Sequence, residues 1–132
     1  MSKIYLIVTV GPDYRLLPKF IEYYKRLGVD EFLVILNTSD QGPHNILSIY
    51  KISTVSSWVS EFSEHTKQQC ERQIIEKHCS INDWVLYADL DEFQYYPKGL
   101  REHLDICNRY KLDFLEGRLL DRVSRDGSLI SK

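Results

Sequence analysis

"IYLIVTV", residues 4–10, decides the fold. It is a near-continuous β-branched run with no polar alternation. A strand that shows one face to water alternates apolar and polar residues, whereas one covered on both faces does not. This run therefore predicts a strand inside a parallel sheet with helices on either side. Just downstream, Leu16, Leu17, Phe20, Ile21, Tyr24 and Leu27 recur at helical spacing. Pro18 suits the first turn of that helix and Gly28 the position just past its end. "FLVIL" (32–36) is a second buried strand, and the polar "NTSDQGPHN" (37–45) is a loop. "NILSIYKI" (45–52) reads as a short helix and "STVSSWVSEF" (53–62) as a weaker strand. "SEHTKQQCERQIIEKHC" (63–79) is helical with a thin apolar face, and "WVLYADL" (84–90) is the next strand. Leu100, Leu104 and Cys107 mark another helix, and "DFLEGRLLDRV" (113–123) a last extended segment. Strands separated by helices predict a single α/β domain over residues 1–132, with a largely parallel sheet and flanking helices.

Composition narrows the function classes. The 132 residues are 43% hydrophobic, enough for a sizeable core. With 17 basic and 19 acidic side chains the net charge is −2, which gives no support to nucleic-acid binding by bulk charge. The sequence shows no apolar run of bilayer length, and its first residues read as a strand and loop, not a secretory signal. Cys70, Cys79 and Cys107 form no CxxC pair. Free thiols and a cytoplasmic location are the expectation. His44, His65, His78 and His103 lack metal-ligand spacing and are expected on surfaces or helices.

In open parallel sheets, ligands sit at the carboxyl ends of the strands. Three polar clusters fall at such ends: "TVGPD" (9–13), "NTSD" (37–40) and "DLDE" (89–92). In the last, Asp89, Asp91 and Glu92 come directly after an apolar strand. Like charges this close repel, so a cation is expected among them. Side chains alternate along a strand, so Asp89 and Asp91 are expected to share one side, with Leu90 turned towards the core. Two such carboxylates suit a hard divalent cation, Mg²⁺ or Mn²⁺, which also takes substrate phosphates and stabilises a diphosphate leaving group. A solvated turn or a helix cap is the bland reading of the same residues.

"YADLDEF" (87–93) resembles the DxD segment of nucleotide-sugar glycosyltransferases of the GT-A fold, in particular the family 2-like group whose signature ends in D-x-D-E-F. "LLPKFIEYYKRLGVDEFLVILNTSDQG" (16–42), "WVLYADLDEFQYYP" (84–97) and "GRLLDRVSRDG" (117–127) are similar to that group's other segments, in the same order. The resemblance implies a Rossmann-like, GT-A nucleotide-binding half that is truncated relative to the group. It implies a nucleoside-diphosphate sugar as donor and Asp89 and Asp91 at a site for Mn²⁺ or Mg²⁺. Thr9 and the backbone of Gly11 are implied nucleoside contacts. Asp13 keeps the acidic character of a loop that reads K-N-E in the group, and Asn37 stands where an acid often meets the base. Arg72, with Lys67, stands either facing the phosphates or, equally, on a solvated helix face. No catalytic base is assigned among the downstream acids Glu116, Asp121 and Asp126.

Two other readings stay open. The chain could be an inactive GT-A-like module that binds nucleotide or a partner, with its exposed sheet edge paired to a second copy. A phosphatase of the haloacid-dehalogenase type also ends a strand in DxD, with the first Asp as nucleophile. There, however, the motif sits on the first strand and is not followed by Glu-Phe.

Overall fold

A computed structural model describes residues 3–53, 56–58, 63–80 and 82–110. The elements in order are β1 (Ile4–Val10), α1 (Leu17–Leu27), β2 (Glu31–Leu36), α2 (Gly42–Ile49), β3 (Ser56–Ser57), α3 (Glu64–His78), β4 (Trp84–Tyr87) and α4 (Leu100–Arg109). The chain divides into two compact units after Leu100. The first holds the sheet and the first three helices. The described part of the second is the rest of α4, where Leu104 and Cys107 are buried one turn apart. The expected extended segment 113–123 lies outside the described residues.

All strand pairs are parallel, in the order β3-β2-β1-β4. β1 is an inner strand, paired on both sides. It pairs with β2 from Tyr5↔Glu31 to Val10↔Leu36 and with β4 from Ile4↔Trp84 to Ile7↔Tyr87. The order reverses at β1: the chain steps outward to β2 and β3, then returns to lay β4 on the other side. Right-handed crossovers that step in opposite directions place their helices on opposite faces. α3 lies on the face of Tyr5, Ile7, Leu33, Ile35 and Trp58, where its Ile74 and Cys70 pack. α1 and α2 therefore cover the other face, where Ile4, Leu6, Val8 and Val10 are buried. Both faces of β1 are covered, as its unbroken apolar run requires.

The local signals act as expected in α1. Proline occupies its first turn, and Gly28 closes it at φ 119°, donating to the Tyr24 and Lys25 carbonyls. α2 starts earlier than its apolar run, because Gly42-Pro43 forms its first turn. Gly42 is fixed by a neighbour: a Cβ there would sit 2.0 Å from the Tyr14 hydroxyl. Ser63 caps α3, its hydroxyl accepting the Thr66 N–H. Among the described residues no helix is long and apolar enough to cross a membrane.

Candidate functional site

The reversal of strand order at β1 and β4 is the topological switch point, where open α/β sheets leave a crevice beyond the strand ends. Paired residues end at Ile7↔Tyr87, so β1 continues for three residues, Val8 to Val10, beyond its β4 partner. The segment that leaves β4 there is Ala88-Asp89-Leu90-Asp91-Glu92.

The expectation that Asp89 and Asp91 share a strand face is corrected. β4 stops at Tyr87, and the acids form a tight turn instead. The Glu92 N–H donates to the Asp89 carbonyl at 2.9 Å. In return the Asp89 N–H donates to Glu92 Oε1 at 2.8 Å. Glu92 thus closes the turn, while Asp89 and Asp91 both stay exposed and Leu90 is half-buried. In β4 and just after it, Leu86 and Ala88 are buried, and Trp84 and Val85 half-buried. Among the described residues β4 is paired with β1 alone.

Beyond the turn, residues 92–94 are anchored to α1. The buried Tyr24 hydroxyl donates to the Glu92 carbonyl at 2.7 Å and accepts the Gln94 N–H at 3.0 Å. Burial pushes this phenol far up, so it stays protonated as a donor. The Tyr23 hydroxyl donates to the Gln94 carbonyl, and the Gln94 amide donates to the Tyr87 carbonyl at 2.8 Å. Phe93 packs edge-on against Phe20 and Tyr23 and stacks on Tyr24. The acidic turn therefore stands on a packed aromatic base. In the sequence Tyr24 is one position of an apolar stripe and Tyr23 its neighbour. No local signal marks their hydroxyls as partners of a segment some 70 residues away.

From the opposite face comes Lys67, near the start of α3. Because α3 runs back against the strands, its first turns lie at the carboxyl edge, while the His78 carbonyl meets the Tyr5 hydroxyl near the amino edge. Lys67 Nζ donates to Asp89 Oδ1 at 3.1 Å and lies 4.0 Å from Glu64. Burial pulls its pKa down, but the Asp89 hydrogen bond and the charges of Asp89, Glu71 and Glu64 outweigh that and raise it. Partial burial leads the opposing influences on Glu71 and pushes its carboxyl upward. The cation that the acidic run calls for is thus supplied in part by the chain itself. Arg72 is exposed on α3, and its charge is felt at Tyr87.

The remaining residues lie at the ends of β1 and β2. Thr9 Oγ1 is buried and has no hydrogen-bond partner among the described residues. Gly11 is half-buried, and among the described residues a Cβ there would meet nothing within 4 Å. Asp13 is engaged locally: Arg15 grips it with two hydrogen bonds of 2.9 Å, which lower its pKa. Asn37 extends the sheet, its N–H donating to the Val10 carbonyl and its side-chain amide to the Trp58 carbonyl, both at 2.8 Å. Asp40, not singled out by the sequence, ties the two loops together. It accepts the Tyr14 hydroxyl at 3.0 Å and the Gly42 N–H at 2.9 Å. Glu116, Asp121 and Asp126 lie outside the described residues.

The donor set decides what metal chemistry suits the turn. Among the described residues no group of three or more His, Cys, Asp or Glu is arranged to hold an ion. The described residues by themselves form no closed all-protein site. Two exposed carboxylates in one turn do fit a hard cation that takes its other oxygens from phosphates and water. No family model and no curated protein matches the chain.

Proposed function

We propose that the chain binds a nucleoside-diphosphate sugar at the carboxyl edge of its sheet and acts as a metal-dependent glycosyltransferase of the GT-A type, or as the donor-binding part of one. The observation that carries this reading is the placement of "DLDE" immediately after β4, at the switch point beside β1. The sequence resemblance to the D-x-D-E-F group points the same way. Asp89 and Asp91 would hold Mn²⁺ or Mg²⁺ jointly with the diphosphate, and the ion, when bound, neutralises the departing phosphate oxygens. The space that the described residues leave beside Gly11, and the buried hydroxyl of Thr9, suit a nucleoside laid across the end of β1. Asn37 contributes a polar edge, though its amide is held by Trp58. Asp13 reaches a ligand only if Arg15 releases it, and Arg72 only if its side chain swings towards the acids. Tyr24 and Glu92 fix the backbone on which the two acids stand.

The DxD phosphatase reading has less support, because the motif comes after β4 and not the first strand. The test is a panel of nucleoside diphosphates and their sugar conjugates, titrated into the full chain with and without Mn²⁺. Metal-dependent binding to one base supports the proposal. Equal, weak binding of all of them, with no metal effect, removes it.

A further inference from the structure

Lys67 is not an ordinary surface lysine. Its side chain is only 15% exposed, while that of Asp89 is 63% exposed. The ammonium is held from the α3 side, and its stem lies on the face that continues through Cys70 to Ile74, which pack on the sheet. Asp89 is the open partner, exposed to solvent on its other side. The contact joins α3 to the acidic turn across 22 residues of sequence.

We infer that Lys67 is a resident counter-ion that holds Asp89 in the metal-free protein and competes with a divalent cation for its carboxylate. The inference rests on the assignment of Asp89 and Asp91 to the metal site. An ammonium and a divalent ion on one carboxylate repel each other at close range, so both cannot be held at full strength. Metal binding then requires Asp89 to give up the Lys67 hydrogen bond. Bare metal binds weakly, and the diphosphate, which adds its own oxygens, completes the exchange. Glu64 and Glu71 keep the released ammonium neutralised on α3. Without metal, Asp89 stays paired and the repulsion between the two acids is reduced.

The experiment measures Mn²⁺ binding to the full chain by electron paramagnetic resonance of the free ion. It compares wild type, Lys67→Met and Lys67→Arg, alone and with uridine or guanosine diphosphate. Lys67→Met keeps the stem and removes the charge. It should bind Mn²⁺ alone about fivefold more tightly than wild type, the equivalent of one partly exposed ion pair. Lys67→Arg, which keeps the charge, should stay near wild type. If thermal melting shows Lys67→Met to be unfolded, Lys67→Gln takes its place. A purely structural lysine gives a different result: removing it loosens the turn, and Mn²⁺ binding is unchanged or weaker. That result, with nucleotide-assisted Mn²⁺ binding intact in wild type and lost in Asp89→Asn, overturns the inference and leaves the metal site standing. No Mn²⁺ binding by any variant, with either nucleotide, overturns both.

Discussion

At the amino edge of the sheet, Asp30 accepts the Ile4 N–H at 2.7 Å, and Asp83 accepts the Lys3 N–H at 3.0 Å and both the N–H and hydroxyl of Ser80 at 2.9 Å. These carboxylates finish the backbone ladder where β1 and β4 begin. At the carboxyl edge the same residue type behaves otherwise. Asp89 gives one oxygen to Lys67, and Asp91 has no hydrogen bond or ion pair among the described residues. Asp13 and Asp40 lie near that edge too, but Arg15, Tyr14 and the Gly42 N–H occupy them. Partners, not residue type, separate a structural aspartate from one available to a ligand. By that measure, of the described aspartates compared at the two edges, Asp89 and Asp91 of the β4 turn are the ones left available.

The contrast depends on one sheet carrying both edges, so the largest effect comes from breaking the sheet. Leu6 is fully buried at the centre of β1. Leu6→Ala should cost about 2–5 kcal/mol in urea unfolding, and a loss under about 0.5 kcal/mol would mean that β1 is not the core strand. A smaller effect separates the edges. Asp30→Ala leaves the Ile4 N–H without its acceptor and should cost about 1–2 kcal/mol, with ligand binding at the far edge unchanged. Equal loss of binding would show that the two edges are not independent. The smallest effect is one of pH. Hydrogen bonds from the Ser80 and Lys3 backbone lower the Asp83 pKa below its ordinary 3.8. A carboxyl with a lowered folded pKa contributes stability above its unfolded value and loses it as pH falls through the folded one. Stability should therefore drop below about pH 4, and less steeply in Asp83→Asn. Parallel acid-unfolding curves for the two proteins would remove Asp83 from the account.

Much of the fold is legible in the sequence, and the misreadings have two causes. The unbroken apolar runs at 4–10 and 32–36 specify strands covered on both faces, and Pro18 and Gly28 bracket α1. The pattern also puts "DLDE" at a strand end, but it extends the strand three residues too far. The apolar-polar alternation of "YADLD" mimics a continuing strand, whereas the reciprocal Asp89–Glu92 hydrogen bonds turn the chain. Those bonds depend on backbone geometry that alternation does not encode. Arg72 and Lys67 look equivalent on a polar helix, and only the packing of Ile74 and Cys70 turns Lys67 towards Asp89. The Tyr24 hydroxyl is hidden in the same way, as one apolar position among six. Contacts between distant segments decide the side-chain cases, and local periodicity is blind to them.

The central claim is that the β4 turn binds a divalent metal together with a nucleoside diphosphate. Asp91→Asn tests it most directly, because Asp91 supports no hydrogen bond among the described residues and its loss should leave the fold intact. The measurement is isothermal titration calorimetry of uridine and guanosine diphosphate into wild type and Asp91→Asn, each with and without Mn²⁺, beside a thermal melt of both. The account predicts equal melting, nucleotide binding that Mn²⁺ strengthens in wild type, and loss of that strengthening in the variant. The same Mn²⁺-assisted affinity in both proteins would contradict it.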